Sequence, residues 1–211
     1  LATSAEDENR QASWRTDPAQ SGKSNCVGDI GTHVENMVGY VTGLEIDALS
    51  ARLDSFVHGR RLDDNATVMV NYKGGATGVY WTSQIAIGTD NALRIRVFGE
   101  KGSIEFVQEN PNYLHYMSPE GYRKVLSKGN PILCEQAQSA GRLPFGHPDG
   151  FIEAFANLYL EAFRAIRADL AGAARPDVDV PGIDDGIMGL QFIETIVKSS
   201  ASTVKWTPWV E

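Results

Sequence analysis

Apolar and β-branched residues in the middle of the chain recur at every second position, and this constrains the fold more than any other feature. Ala51, Leu53, Ser55 and Val57 alternate with Arg52, Asp54 and Phe56. The pattern returns over residues 67–72, 78–87, 93–97, 103–107, 113–117 and 122–126. Successive side chains of a strand point to opposite faces, so these stretches read as strands with one face on a core. Lys73-Gly74-Gly75, Glu100-Lys101-Gly102 and Ser118-Pro119-Glu120-Gly121 punctuate them as turns. Strands joined by such short turns are antiparallel neighbours. The expected framework is an open, mostly antiparallel sheet of about six or more strands.

Three helical patterns accompany it. Ile30, Val34, Met37, Val38 and Val41 recur at three and four, and Gly43 supplies a stop. Asn25 or Asp29 is the expected cap of that helix. Residues 149–170 place Phe151, Phe155, Leu158, Tyr159, Ala162, Phe163, Ile166 and Leu170 on one face. Residues 183–200 do the same with Ile187, Leu190, Ile193, Ile196 and Val197, and Asp184-Asp185 favours the start of that helix. Residues 127–148 form a long Gly/Pro/Ser/Gln-rich loop, and Val204-Lys205-Trp206 reads as an edge strand. One broad sheet with few helices is an α+β layout, with the helices packed on one face. The other face, also apolar and aromatic, is expected to meet another subunit.

The formal charge of −8, without a Lys/Arg stripe, argues against a nucleic-acid partner. No apolar run approaches the ~18 residues of a membrane span. Cys26 and Cys134 lie far apart and outside any C-x-x-C pattern, as in a reduced cytoplasmic protein. The opening residues, through 13, are polar and aperiodic and read as a flexible segment at a truncation point.

The chemistry concentrates in Gly28-Asp29-Ile30-Gly31-Thr32-His33. On an α-helix, Asp29 and His33 share a face, one turn apart. A carboxylate beside an imidazole is a common acid/base pair. By spacing alone, a helix cap and a semi-buried histidine explain the two residues more simply than a catalytic pair does, and a zinc site would need a third ligand. Gly28 and Gly31 weaken a first helical turn, which points to close approach by a ligand or another backbone. Trp14 and Arg15 precede this helix, where Arg15 either pins a polar substrate group or anchors its loop. His147, in Gly146-His147-Pro148, either faces a cleft or lies on a surface loop, while His58 and His115 read as structural. No Gly-rich phosphate loop stands between a strand and a helix.

Several runs together resemble the C-terminal domain of the Gfo/Idh/MocA oxidoreductases, the glucose–fructose oxidoreductase and inositol dehydrogenase group. They are Trp14-Arg15-Thr16-Asp17-Pro18, the Gly28–His33 run, Phe98-Gly99-Glu100-Lys101-Gly102, Gly146-His147-Pro148, Glu153-Ala154-Phe155, Asp185-Gly186 and Phe192-Ile193-Glu194. The resemblance implies a substrate-binding and oligomerisation domain over residues 14–211. Its fold would be like the C-terminal domains of dihydrodipicolinate reductase and glyceraldehyde-phosphate dehydrogenase. An N-terminal Rossmann domain would bind NAD or NADP and bring a lysine from a Glu-Lys-Pro run. Neither the Rossmann fingerprint nor that run occurs here, so no cofactor is expected to bind this stretch by itself.

The resemblance further implies a sugar, inositol or related polyol as substrate, and a homodimer or tetramer built through the open sheet face. Asp29 and His33 match the family's site residues. His33 would take the hydroxyl proton, since an imidazole's reference pKa of ~6.5 suits transfer near neutrality. Asp29 would orient that imidazole or hold a substrate hydroxyl. The competing readings are a non-catalytic sugar-binding or assembly module and a metal-dependent hydrolase or isomerase.

Overall fold

The computed structural model describes residues 13–174 and 176–209, so the expected flexible segment falls almost wholly outside the described residues. The chain divides into two compact units. One runs up to Gly88 and resumes at Gly182; the other is Thr89–Pro181.

The first unit opens with a 3-10 turn at Ser13–Thr16 and a short helix α1 (Pro18–Ser21), where Asp17 Oδ1 accepts the N–H of Ala19 at 3.1 Å. A π turn over Val27–Gly31 leads into α2 (Thr32–Thr42). Gly43 ends α2 at φ 65°, the left-handed conformation that glycine adopts at least cost. Three strands follow, β1 (Ile46–Asp54), β2 (Asn65–Tyr72) and β3 (Thr77–Ser83). The second unit holds β4 (Arg94–Gly99), β5 (Gly102–Val107), β6 (Tyr113–Met117), β7 (Arg123–Ser127), α3 (Glu135–Ser139) and α4 (Phe151–Leu170). The chain returns to the first unit with α5 (Ile183–Ser200) and β8 (Thr207–Pro208).

The layout is α+β with antiparallel pairing, as the alternation predicts. The strands form two ladders of four, β3-β2-β1-β8 and β4-β5-β6-β7. Register in the first follows the period of two. Leu49 faces Val70, Ala51 faces Val68, and Val68 faces Tyr80. These residues, with Val27, Ile46, Ala66 and Tyr72, meet Phe192 and Ile196 of α5 in one buried core. Serines of α5 also reach the strand edge, where Ser199 Oγ accepts the N–H of Ala51 and Ser200 Oγ that of Leu53, both at 3.0 Å.

Some boundaries differ from the sequence reading, each for a local reason. Strand β1 starts at Ile46, because a register shift between Ile46 and Ala48 breaks the alternation that would have shown it. It stops at Asp54, because the N–H groups of Phe56 and Val57 turn to the Asp64 carboxylate, at 2.9 Å each. The edge strand lies at Thr207–Pro208 instead of 204–206, with the Trp209 N–H donating to Asp47 O at 2.8 Å.

In the second unit, the Phe-Gly-x-x-Gly turn closes the β4–β5 hairpin. Gly102 has φ 137°, and a Cβ there would stand 2.6 Å from the Met117 carbonyl, so no other residue fits. The long loop after β7 is tied down by buried Asp149, whose Oδ2 accepts Lys128 Nζ at 2.5 Å and the N–H of Arg142 at 2.8 Å. On α4, only Ala165 is buried. Its aromatic residues instead pack along the helix, Phe151 on Phe155 and Tyr159 on Phe163, the neighbours that a four-residue step creates.

Glu35 of α2 is a buried carboxyl, pushed above its ordinary range by desolvation and by nearby Asp185. The folded state therefore holds this proton more tightly than the unfolded chain. The contribution is full below the unfolded value of ~4.3 and is lost as pH rises through the raised folded value. Glu35→Gln is expected to raise the urea midpoint at neutral pH, with the gain vanishing towards about pH 4.

Candidate functional site

The helix bearing Asp29 and His33 starts on a wider winding than the sequence reading assumes. The N–H of Thr32 reaches back to the carbonyl of Val27, closing a π turn before α geometry takes over. Such turns recur at functional sites. Gly31 permits the turn, since a Cβ there would press to 3.0 Å from Val27 Cγ1. Gly28 faces open space, with nothing within 4 Å of where a Cβ would lie.

Neither Asn25 nor Asp29 caps this helix. The cap comes from Asp63, in the loop between β1 and β2, with Ser24 Oγ also accepting the N–H of Val27 at 3.2 Å. Its Oδ1 accepts the N–H of Asn25 at 2.9 Å, and its Oδ2 accepts the N–H of Val27 at 3.1 Å and Ser24 Oγ at 3.0 Å. The adjacent Asp64 folds its own loop through Phe56 and Val57. In sequence both carboxylates look like mere neighbours of Arg60 and Arg61; in the fold both are buried. Cys26, under the same turn, is fully buried, and burial pushes its thiol up to about 12, so it is no nucleophile at neutral pH.

Both oxygens of Asp29 are taken by side chains other than His33. Arg15 Nε donates to Asp29 Oδ1 at 3.0 Å, and Gln84 Nε2 donates to Oδ2 at 3.0 Å. Gln84 Oε1 in turn accepts Asn25 Nδ2 at 2.7 Å. Arg15 stands over the Trp14 ring, 4.8 Å from its centroid, a cation–π distance. The structure thus brings Trp14, Arg15 and Asp29 together and adds Gln84, which the sequence reading missed. The side chains of Arg15 and Asp29 each remain 31% exposed. A carboxylate has about four lone-pair positions, so two donors leave Asp29 room to accept hydroxyl groups from its open side.

His33 is exposed on the first turn of α2. Among the described residues its imidazole makes no hydrogen bond, to Asp29 or to any other group. His147 lies in the second unit, in an exposed turn where its N–H donates to Pro144 O at 3.1 Å. His58 and His115 are exposed on a loop and on β6. Among the described residues, no group of three or more His, Cys, Asp and Glu is placed to hold a metal ion. Lys73-Gly74-Gly75 is the β2–β3 hairpin turn, with the Gly75 N–H donating to Tyr72 O at 3.1 Å.

Fold and sequence place the chain with a family of C-terminal domains. The family profile described as the GFO/IDH/MocA C-terminal domain matches residues 2–105, and the chain belongs to the Gfo/Idh/MocA family. It is 37% identical over 201 residues to the oxidoreductase YfiI of Bacillus subtilis, covering 92% of this chain and 50% of that protein. An inositol dehydrogenase homolog from Azotobacter vinelandii, solved with NAD+, superposes with a TM-score of 0.89 at 33% identity, over 96% of this chain and 53% of that one. Another structure of an inositol dehydrogenase homolog from that organism, with NADH and myo-inositol, gives 0.83 at 31% identity, over 95% and 53%. The chain spans about half the length of these relatives.

The Asp63 cap fixes where the helix begins, and with it Asp29. Asp63→Ala leaves the Asn25 N–H and the Ser24 hydroxyl without their carboxylate and the Val27 N–H with Ser24 Oγ alone. It is expected to lower unfolding stability by about 2–4 kcal/mol in urea titrations. A change within about 0.5 kcal/mol would show that the cap is dispensable.

Proposed function

We propose that the chain is the substrate-binding and oligomerisation domain, residues 14–211, of an NAD-dependent oxidoreductase that oxidises a secondary alcohol of a sugar, inositol or related polyol. The observation that carries this is the Asp29 carboxylate. It is clamped by Arg15 and Gln84 yet open on one side, on the same helix start as an unpartnered, exposed His33. The space over Gly28 lets a ligand approach that turn. The A. vinelandii homologs, solved with NAD+ and with NADH and myo-inositol, support the same substrate and cofactor class.

Oxidising an alcohol removes a hydride from carbon and a proton from the hydroxyl. A nicotinamide, held by the remainder of the full-length protein, supplies the hydride acceptor. The residues of this chain handle the hydroxyls and the proton. Asp29 accepts hydrogen bonds from polyol hydroxyls through the lone pairs that Arg15 and Gln84 leave unused. That choice follows from the geometry: both Asp29 oxygens already face donors other than His33. His33, with no competing partner, takes the proton as general base.

The outer face of β2 and β3 supports self-association. Met69 stands opposite Val79, and Thr67 opposite Trp81; Val79 and Trp81 are largely exposed. A second copy covering this row is the expected dimer partner. The unpaired Cys26 and Cys134 fit a reducing, cytoplasmic setting.

The test is a panel of sugars and inositols offered with NAD and with NADP to the full-length protein. NAD-linked oxidation of a polyol is expected, and His33→Ala should lower kcat by about 10²- to 10⁴-fold. Because His33 is exposed, the unfolding midpoint should not move. An unchanged kcat would remove His33 from the chemistry.

A further inference from the structure

We infer that Gln84 is a positioning residue for Asp29, and that buried Asn25 sets the direction in which its amide must point. Hydrogen-bond logic fixes the chain of donors. An ionised Asp29 only accepts, so Gln84 must offer it Nε2–H. Gln84 Oε1 then needs a donor, and Asn25 Nδ2 supplies it at 2.7 Å. The reverse orientation would set the Gln84 carbonyl against a carboxylate and an amide N–H against an amide N–H.

Asn25 itself has no freedom to turn away. It is 1% exposed, its backbone N–H is held by Asp63, and its carbonyl accepts the N–H of Asp29 at 2.9 Å. Its Oδ1 finds no donor among the described residues. A buried acceptor left unmatched is unfavourable, so stability alone does not account for an asparagine here. What it does provide is a donor aimed at Gln84. Gln84 is anchored from the other side, where its backbone N–H donates to Asp64 O at 2.9 Å, just past the end of β3. The sheet end, the capping loop and the helix start therefore converge on the orientation of one carboxylate. Arg15 holds Oδ1 with a charge, and Gln84 holds Oδ2 with a neutral amide.

The kinetic part of the test rests on the polyol-oxidation reading and uses the full-length protein. Gln84→Leu keeps the approximate shape and removes the donor. It should lower kcat/KM by about tenfold to a hundredfold. Gln84→Glu places a second carboxylate against Asp29 at neutral pH and should be at least as poor. As pH falls, that group protonates and its O–H replaces the amide N–H. The ratio of Gln84→Glu to wild-type activity should therefore climb towards acid pH, while the Gln84→Leu ratio stays flat. A merely structural loss would leave both ratios flat.

An independent readout needs no turnover. In ¹⁵N-labelled protein, the Gln84 side-chain amide protons should exchange slowly, and their resonances should move on Asp29→Asn. Wild-type kcat/KM in Gln84→Leu, flat ratios for both variants, or a fast-exchanging amide indifferent to Asp29→Asn would each overturn the inference. If the wild-type protein oxidises no polyol, the proposed function falls, and the amide measurement alone decides whether Gln84 positions Asp29.

Discussion

The carboxylate of Asp63 is the interaction on which the candidate site depends. A helix start carries unsatisfied N–H groups, and here the residues inside the helix leave them unmet. Asp63 arrives from the β1–β2 loop and binds Ser24, Asn25 and Val27 at once. It joins the helix to the sheet through charge-assisted bonds in a buried setting, where such bonds are strong. Asp64, beside it, fixes the loop that delivers Asp63, through Phe56 and Val57. Two adjacent carboxylates thus convert a surface loop into the brace for a helix. The same brace sets the height of Asn25, and through it the orientation of Gln84 and Asp29.

This arrangement changes what the Asp29–His33 spacing means. Four residues on a regular α-helix would put the carboxylate against the imidazole. Here Arg15 and Gln84 occupy both oxygens instead. On the proposed reading the two residues have separate tasks, a fixed acceptor and an unattached base, instead of acting as a coupled dyad. Trp14 serves by stacking on Arg15, and Arg15 by holding Asp29. Both support Asp29 in this geometry.

Much of the fold was legible in the alternation and the turns. Val68, Val70 and Tyr72 face the core as the period of two requires, and Gly43, Gly74 and Gly102 stand where the backbone needs positive φ. Both long helices begin and end close to where their apolar spacing places them. What escaped were effects carried by distant partners. Asp63 caps a helix that starts 36 residues before it, so no local motif marks it. Gln84 sits in an apolar run that reads as uninterrupted strand, and only the folded loop beside it shows why the strand ends at Ser83. The π turn has a trace in Gly31, but a glycine in a first helical turn has several explanations until Val27 is seen against it. The bulge near Ile46 hid the start of β1 because an irregular register erases the periodicity by which strands are recognised.

The most direct measurement is a crystal structure of the full-length protein with NADH and a polyol that it oxidises. One polyol should lie over Gly28, with a hydroxyl donating to Asp29, the Arg15 and Gln84 contacts retained, and the reacting hydroxyl within about 3.2 Å of the His33 imidazole. A polyol seated away from Asp29 and His33, with its oxidised carbon facing the nicotinamide through other residues, would contradict the site assigned here.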